Sequence, residues 1–356
     1  MANDEHVALA RQGAKAWNAW REKNPGKAMD LTGAPLAHAD LAGADLRNAS
    51  IKGSDLRGAD LREANLAGED LVGVALRSAN LAGATLRKAN LEGADLSRAN
   101  LIGAYMVGAN LTDANFKGAN LRGANLSGED LSGVNFRMTN LIGAVLQDTN
   151  FTGADLTEAN LSEAYLAGAN LHEANLEGAN LYEADLTGAT LTLANMPRVD
   201  LIGATLTGAK LSGANMRGAN LARANLEGED LSEIDLTDAN LHEANLKGAN
   251  LQRAILGRSD LIGANLEGAD LREANLVGAV LTGANLKEAN LSGEDLHGMD
   301  LHDANLSGAN LTGADLTHTD LTGTRMRGAN LTNATLTDAK IKNADMSHAV
   351  VQGVRY

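Results

Sequence analysis

Two dipeptides in this 356-residue chain, His172-Glu173 and His242-Glu243, begin as a zinc-peptidase helix would. In such a helix two histidines four residues apart hold the metal, and the glutamate beside the first activates water. Here Leu176 and Leu246 stand where the second histidine belongs. The eight histidines are otherwise scattered, and cysteine is absent. Disulfides, thiol catalysis, iron–sulfur clusters and cysteine-held zinc are therefore excluded. His297 and His318 share one register, but a metal needs three or four converging ligands, so they read as a solvated pair. No phosphate loop, dinucleotide fingerprint or nucleophile elbow occurs. Carboxylates are plentiful, yet Asp70, Asp130 and Asp230 recur at separations of 60 and 100 residues, beyond the reach of paired acid/base work. The reading is a non-enzyme with no catalytic residue, no cofactor and no metal.

Charge narrows the partners. Thirty Lys and Arg against 45 Asp and Glu leave a net charge of −15, which opposes direct nucleic-acid binding and attraction to an anionic membrane. No apolar run approaches the length of a membrane span. The opening MANDEHVALARQG is acidic early and has no apolar core, so no signal peptide is read and a cytoplasmic setting is expected.

The elements that carry these residues follow from one periodicity. From Leu31 to Val351 every fifth residue is large and apolar, 65 positions without insertion or deletion, of which 54 are Leu. The other eleven include all three phenylalanines, Phe116, Phe136 and Phe151. Two residues before each, Ala stands in 49 of the 65 cases, and the residue between is mostly Asn or Asp. A period of five fits neither a 3.6-residue helix nor an unbroken strand. It fits a short extended piece, with Ala and Leu inward and Asn or Asp outward, followed by a two-residue corner that suits Gly. Repetition winds a solenoid whose coils pair with those above and below.

Units such as ADLAG, ANLEG, ANLTG and ADLTG resemble the pentapeptide-repeat family over about 321 residues. The resemblance implies an all-β solenoid, a right-handed quadrilateral β-helix with four units per coil. On that basis about 16 coils stack over ~77 Å. The domain expectation is a helical cap over 1–28, the β-helix over 29–349 and an end segment over 350–356. Within the cap, Asp4 is expected to start one helix running to Lys23, with Val7, Ala10, Ala14, Trp17 and Trp20 along the face that covers the first coil. At the other end Val350, Val351, Val354 and Tyr356 leave an apolar coil that needs a cover.

Function is expected to lie on the outside. The resemblance implies a structural or scaffolding rod for an unknown protein partner. It also implies an alternative, a DNA mimic that protects or inhibits a type II topoisomerase such as DNA gyrase, as quinolone-resistance members do, with a homodimer formed through the C-terminal end. Sorted by side, the repeats carry net charges of −9, −3, −6 and zero. Eighteen net charges over ~77 Å is about 40% of the charge density of duplex DNA. Two ladders stand out as partner-binding candidates. Ile102, Ile142, Ile202 and Ile262, each in a Leu-Ile-Gly-Ala run, share one turn column with Tyr182. Arg57, Arg77, Lys117 and Arg137 share another, with Arg98 offset by one residue.

The Ala column has one coupled exception. Glu69, Glu129, Glu229 and Glu294 replace Ala in Gly-Glu-Asp-Leu runs, and the next position enlarges to Val74, Val134, Ile234 and Met299. A carboxylate buried without partners is costly. Each Glu is expected to turn outward to solvent or to reach backbone N–H groups, with the larger neighbour filling the space.

Overall fold

Alternation within each unit places Leu and Ala together, and hydrogen bonds between units then decide how far apart in sequence the pairing lies. The structure, a computed structural model, describes residues 2–356. The chain divides into two compact units, Met1–Asn180 and Leu181–Tyr356. In both, a single paired residue and a two-residue turn repeat every five residues, with no loop inserted.

In the first unit pairing is parallel and skips twenty residues. A two-residue strand β1 (Met29–Asp30) pairs with β2 (Ala49–Ser50), and beyond it Pro35 pairs with Asp55, Asp40 with Asp60, and Asp45 with Asn65. Four pairing columns per twenty residues make a four-sided coil. The second unit has the same register, as in Asn225 with Asn245 and Asn240 with Asp260. Each contact is a ladder of two bonds: Leu36 N–H donates to the Asp55 carbonyl at 2.9 Å, and Asp55 N–H to Ala34 at 3.0 Å.

The interior matches the expectation. Leu and Ala columns are buried in both units, and Phe116 stacks on Phe136 at 5.0 Å between ring centres, nearly parallel. Where Ala becomes Ser or Thr, the hydroxyl is satisfied by the backbone: Thr139 donates to the Phe116 carbonyl and Ser259 to that of Leu256. Corners take the left-handed conformation, as in Gly33 at φ 70°, and non-glycines such as Met138 and Leu193 accept it too, at φ 57° and 58°.

The cap departs from expectation. It is two helices, α1 (Asp4–Arg11) and α2 (Ala14–Lys23), broken at Gly13 with φ 96°. The N-cap of α1 is Asn3 rather than Asp4, its side chain accepting from the N–H groups of Glu5 and His6. The break lets Ala14 N–H donate to the Asp40 carbonyl, which a straight helix would spend internally. Trp17 is fully buried and its Nε1–H donates to the Asp45 carbonyl at 2.7 Å. Trp20 is only half-buried, edge-on to the His6 ring. Asn18 exchanges two bonds with the backbone of Gly43 and Asp45. These contacts occupy backbone groups of the first coil that no preceding coil could pair.

Candidate functional site

The outward Asn and Asp columns serve the backbone first. Many of their side-chain oxygens accept from the N–H two residues on, as Asn100 does from Ile102 and Asp200 from Ile202, which holds the corner. Asn amides also bond along the stack. In the second unit Asn245 donates to Asn225, Asn265 to Asn245, Asn285 to Asn265 and Asn305 to Asn285, at 2.9–3.1 Å. Sequence reading placed these residues outward but missed the ladder, whose signal was the recurrence of Asn every twenty residues.

The four glutamates are buried, not turned to solvent. Their carboxylates accept from backbone N–H groups 21 residues earlier: Glu69 from Asn48, Glu129 from Gly108, Glu229 from Gly208 and Glu294 from Glu273. At these places the ladder opens. Among the described residues no pairing joins Ser50 to Asp70, Asn110 to Asp130, Lys210 to Asp230 or Asn275 to Asp295. Glutamate thus stands in for a missing carbonyl between two coils. Burial raises the Glu69 and Glu129 carboxyls above their usual value and pushes Glu294 up to about 7. Val74, Val134, Ile234 and Met299 are buried beside these openings.

The isoleucine column is less exposed than expected. In the first unit Ile102 is 41% exposed, whereas Ile142 is half-buried by the corners stacked around it. In the second, Tyr182 and Ile262 are exposed and Ile202 is half-buried. The basic column is not a uniform positive strip. Arg57 forks onto Asp55 with bonds of 2.8 and 2.6 Å, and Arg137 lies 3.7 Å from Asp155. That fork is the main reason the Asp55 carboxyl falls to about 2. Arg77, Arg98 and Lys117 instead line an open depression with the exposed Met138.

His297 and His318 do meet, edge-on at 5.3 Å, with Asp338 3.9 Å from His318. Among the described residues no three His, Asp or Glu side chains converge as a metal site would require. No helix is long and apolar enough to cross a membrane.

Comparison places this geometry. The model of pentapeptide repeats matches overlapping segments from 30–68 through 314–353. Among solved structures, HetL from the cyanobacterium Nostoc sp. strain PCC 7120, involved in heterocyst differentiation regulation, is 34% identical, with 66% of this chain and 88% of that chain covered and a TM-score of 0.28. A pentapeptide repeat protein of the Arabidopsis thaliana thylakoid lumen is 32% identical, covering 30% of this chain and 67% of that one, with a TM-score of 0.19. QnrB1, a plasmid-mediated fluoroquinolone resistance protein, is 20% identical, covering 65% and 90%, with a TM-score of 0.24. No curated protein matches. With its repeats matched over most of its length, the chain belongs to the pentapeptide-repeat family.

Proposed function

We propose that this protein is a non-enzymatic scaffold whose outer side-chain ladders bind a protein partner. The observation that carries the reading is where the side chains go. Leu and Ala fill the coil interior, every buried side-chain polar atom among the described residues has a partner, and all remaining chemistry stands on the outside in columns twenty residues apart. A filled interior offers no pocket for a substrate, whereas stacked columns repeat the same contact along one line. The test is affinity capture with an Ile102→Ser/Ile142→Ser variant beside wild type. A partner retained by wild type and lost by the variant supports the reading; no retained partner on either removes it.

A second reading is topoisomerase protection by DNA mimicry, favoured by the net charge of −15. Against it, Asp55, Asp60 and Asp270 are seated in arginine forks, which neutralises part of each acidic column. A gyrase supercoiling assay with and without a fluoroquinolone separates the readings, since a mimic changes the reaction at micromolar protein. Homodimerisation through Ile341, Val350, Val351 and Tyr356, all exposed, belongs to the same proposal and is read by sedimentation.

A further inference from the structure

One face of the first unit lacks the acids that cover the rest of the chain. The segments 80–88, 100–108, 120–128 and 140–147 contain no Asp or Glu, although the whole chain carries 45. The register stacks them directly: Asn80, Asn100, Asn120 and Asn140 pair in one column, and Thr85, Tyr105, Asn125, Val145 and Tyr165 in the next. The acid-free face therefore spans four successive coils, and Tyr165 stands on the fifth, beside the exposed Glu163, ~14 Å from Tyr105 along the stack.

Its side chains are of two kinds. Tyr105 and Tyr165 are 54% and 50% exposed, and Ile102 flanks them, with Val107, Ile142 and Val145 half-buried between. Arg87, Lys88 and Arg122 are exposed and engage no carboxylate among the described residues, whereas Arg47, Arg57 and Arg62 in the preceding coils are each forked onto an aspartate. Exposed aromatics with unengaged cations, bordered by asparagines, have the composition of an interface core with a polar rim.

We infer that this face is the docking surface for an acidic polypeptide segment bearing apolar side chains. The inference rests on the scaffold reading and adds the place and the chemistry of the partner. Charge complementarity selects an acidic occupant, since three cations stand here without a compensating acid on a chain that is elsewhere acidic. The apolar members select a polypeptide over a nucleic acid: Ile102, Val107, Ile142 and Val145 offer nothing to a phosphate.

The probe is a fluorescein-labelled random copolymer of glutamate and tyrosine, with polyglutamate and oligo(dT) as comparisons, followed by anisotropy on the full chain. Expected are binding of the copolymer above that of polyglutamate, and weakening as salt rises. Ile102→Ser/Tyr105→Ser/Tyr165→Ser and Arg87→Glu/Arg122→Glu should each weaken it by about tenfold or more. Arg77→Glu/Lys117→Glu, on the other basic column, should leave it within about twofold. Circular dichroism checks that each variant folds; these positions all lie outside the buried columns. Absence of copolymer binding overturns the inference, as does binding by both face variants equal to that of the wild type. Preferential binding of oligo(dT), lost in the same variants, would make the face a single-strand platform and overturn it too. If affinity capture still retains a partner that these substitutions do not disturb, the scaffold reading survives and this face is excluded.

Discussion

Glu129 Oε1 accepts a hydrogen bond of 2.5 Å from the backbone N–H of Gly108, beside a place where Asn110 and Asp130 of the two coils are not paired. The next ladder contact is stretched as well, with Met106 N–H 3.4 Å from the Asn125 carbonyl. A side chain has replaced a backbone acceptor, and the enlarged Val134 fills the adjoining interior. Glu129→Ala alone should cost about 1–3 kcal/mol by leaving the Gly108 N–H without an acceptor, and Val134→Ala about 2 kcal/mol through the cavity left. The double variant restores the Ala pair that closes the ladder elsewhere, so it should be more stable than the two losses combined predict, by about 1 kcal/mol or more. Chemical denaturation of the four proteins checks this; simple additivity would show that Glu and Val act independently.

Burial of Glu294 gives the second expectation. Its carboxyl sits at about 7 when folded against an ordinary 4.5, so the folded state holds that proton more tightly than the unfolded chain. Stability should therefore rise as pH falls through about 7 toward 4.5, by about 3 kcal/mol at most. Glu69 and Glu129 shift in the same direction. Asp55 and Asp320 have the opposite sign, held at about 2 chiefly by Arg57 and by the Thr322 hydroxyl. Their contribution is present above the unfolded value of 3.8 and is lost as pH falls toward 2. Thermal melts should show a maximum near about pH 5, and Glu294→Gln should flatten the neutral limb while leaving the acid limb.

The two tryptophans should separate cleanly. Trp17 is fully buried and bonded to the Asp45 carbonyl, so Trp17→Ala should destabilise the first unit by about 3–5 kcal/mol. Trp20 only touches His6 edge-on, and Trp20→Ala should cost about 1 kcal/mol or less. Equal losses from the two, measured by urea unfolding, would show that Trp20 also seals the coil.

Leu193 holds a left-handed corner at φ 58° and exposes its side chain to solvent. Its N–H still donates to the Ser212 carbonyl. Leu193→Gly should relieve the backbone strain and keep the ladder bond, raising stability by about 0.5–1 kcal/mol. A lower melting temperature would mean that the leucine packs on the neighbouring Gly213 corner strongly enough to outweigh the strain.

Much of this architecture is legible in the residues because its unit is local. The inward turn of Ala and Leu, the outward turn of Asn and Asp, and the corner after Leu all follow from alternation within five residues, and the exposed or buried state of Phe116, Asn100 or Gly33 needs no distant information. The twenty-residue register is not local. It depends on how four corners add up to a closed turn and on which carbonyl each N–H then meets, so Tyr105, Val145 and Tyr165 become neighbours only once the coil closes. The same closure decided that Glu129 would accept from Gly108 rather than reach solvent, whereas the fork of Arg57 onto Asp55, two residues earlier, is local. The cap was decided last. Sequence periodicity carries α1 and α2 through as one helix, but hydrogen bonding to Asp40 and Asp45 favours a break at Gly13, because the unpaired edge of the first coil needs those donors more than the helix does.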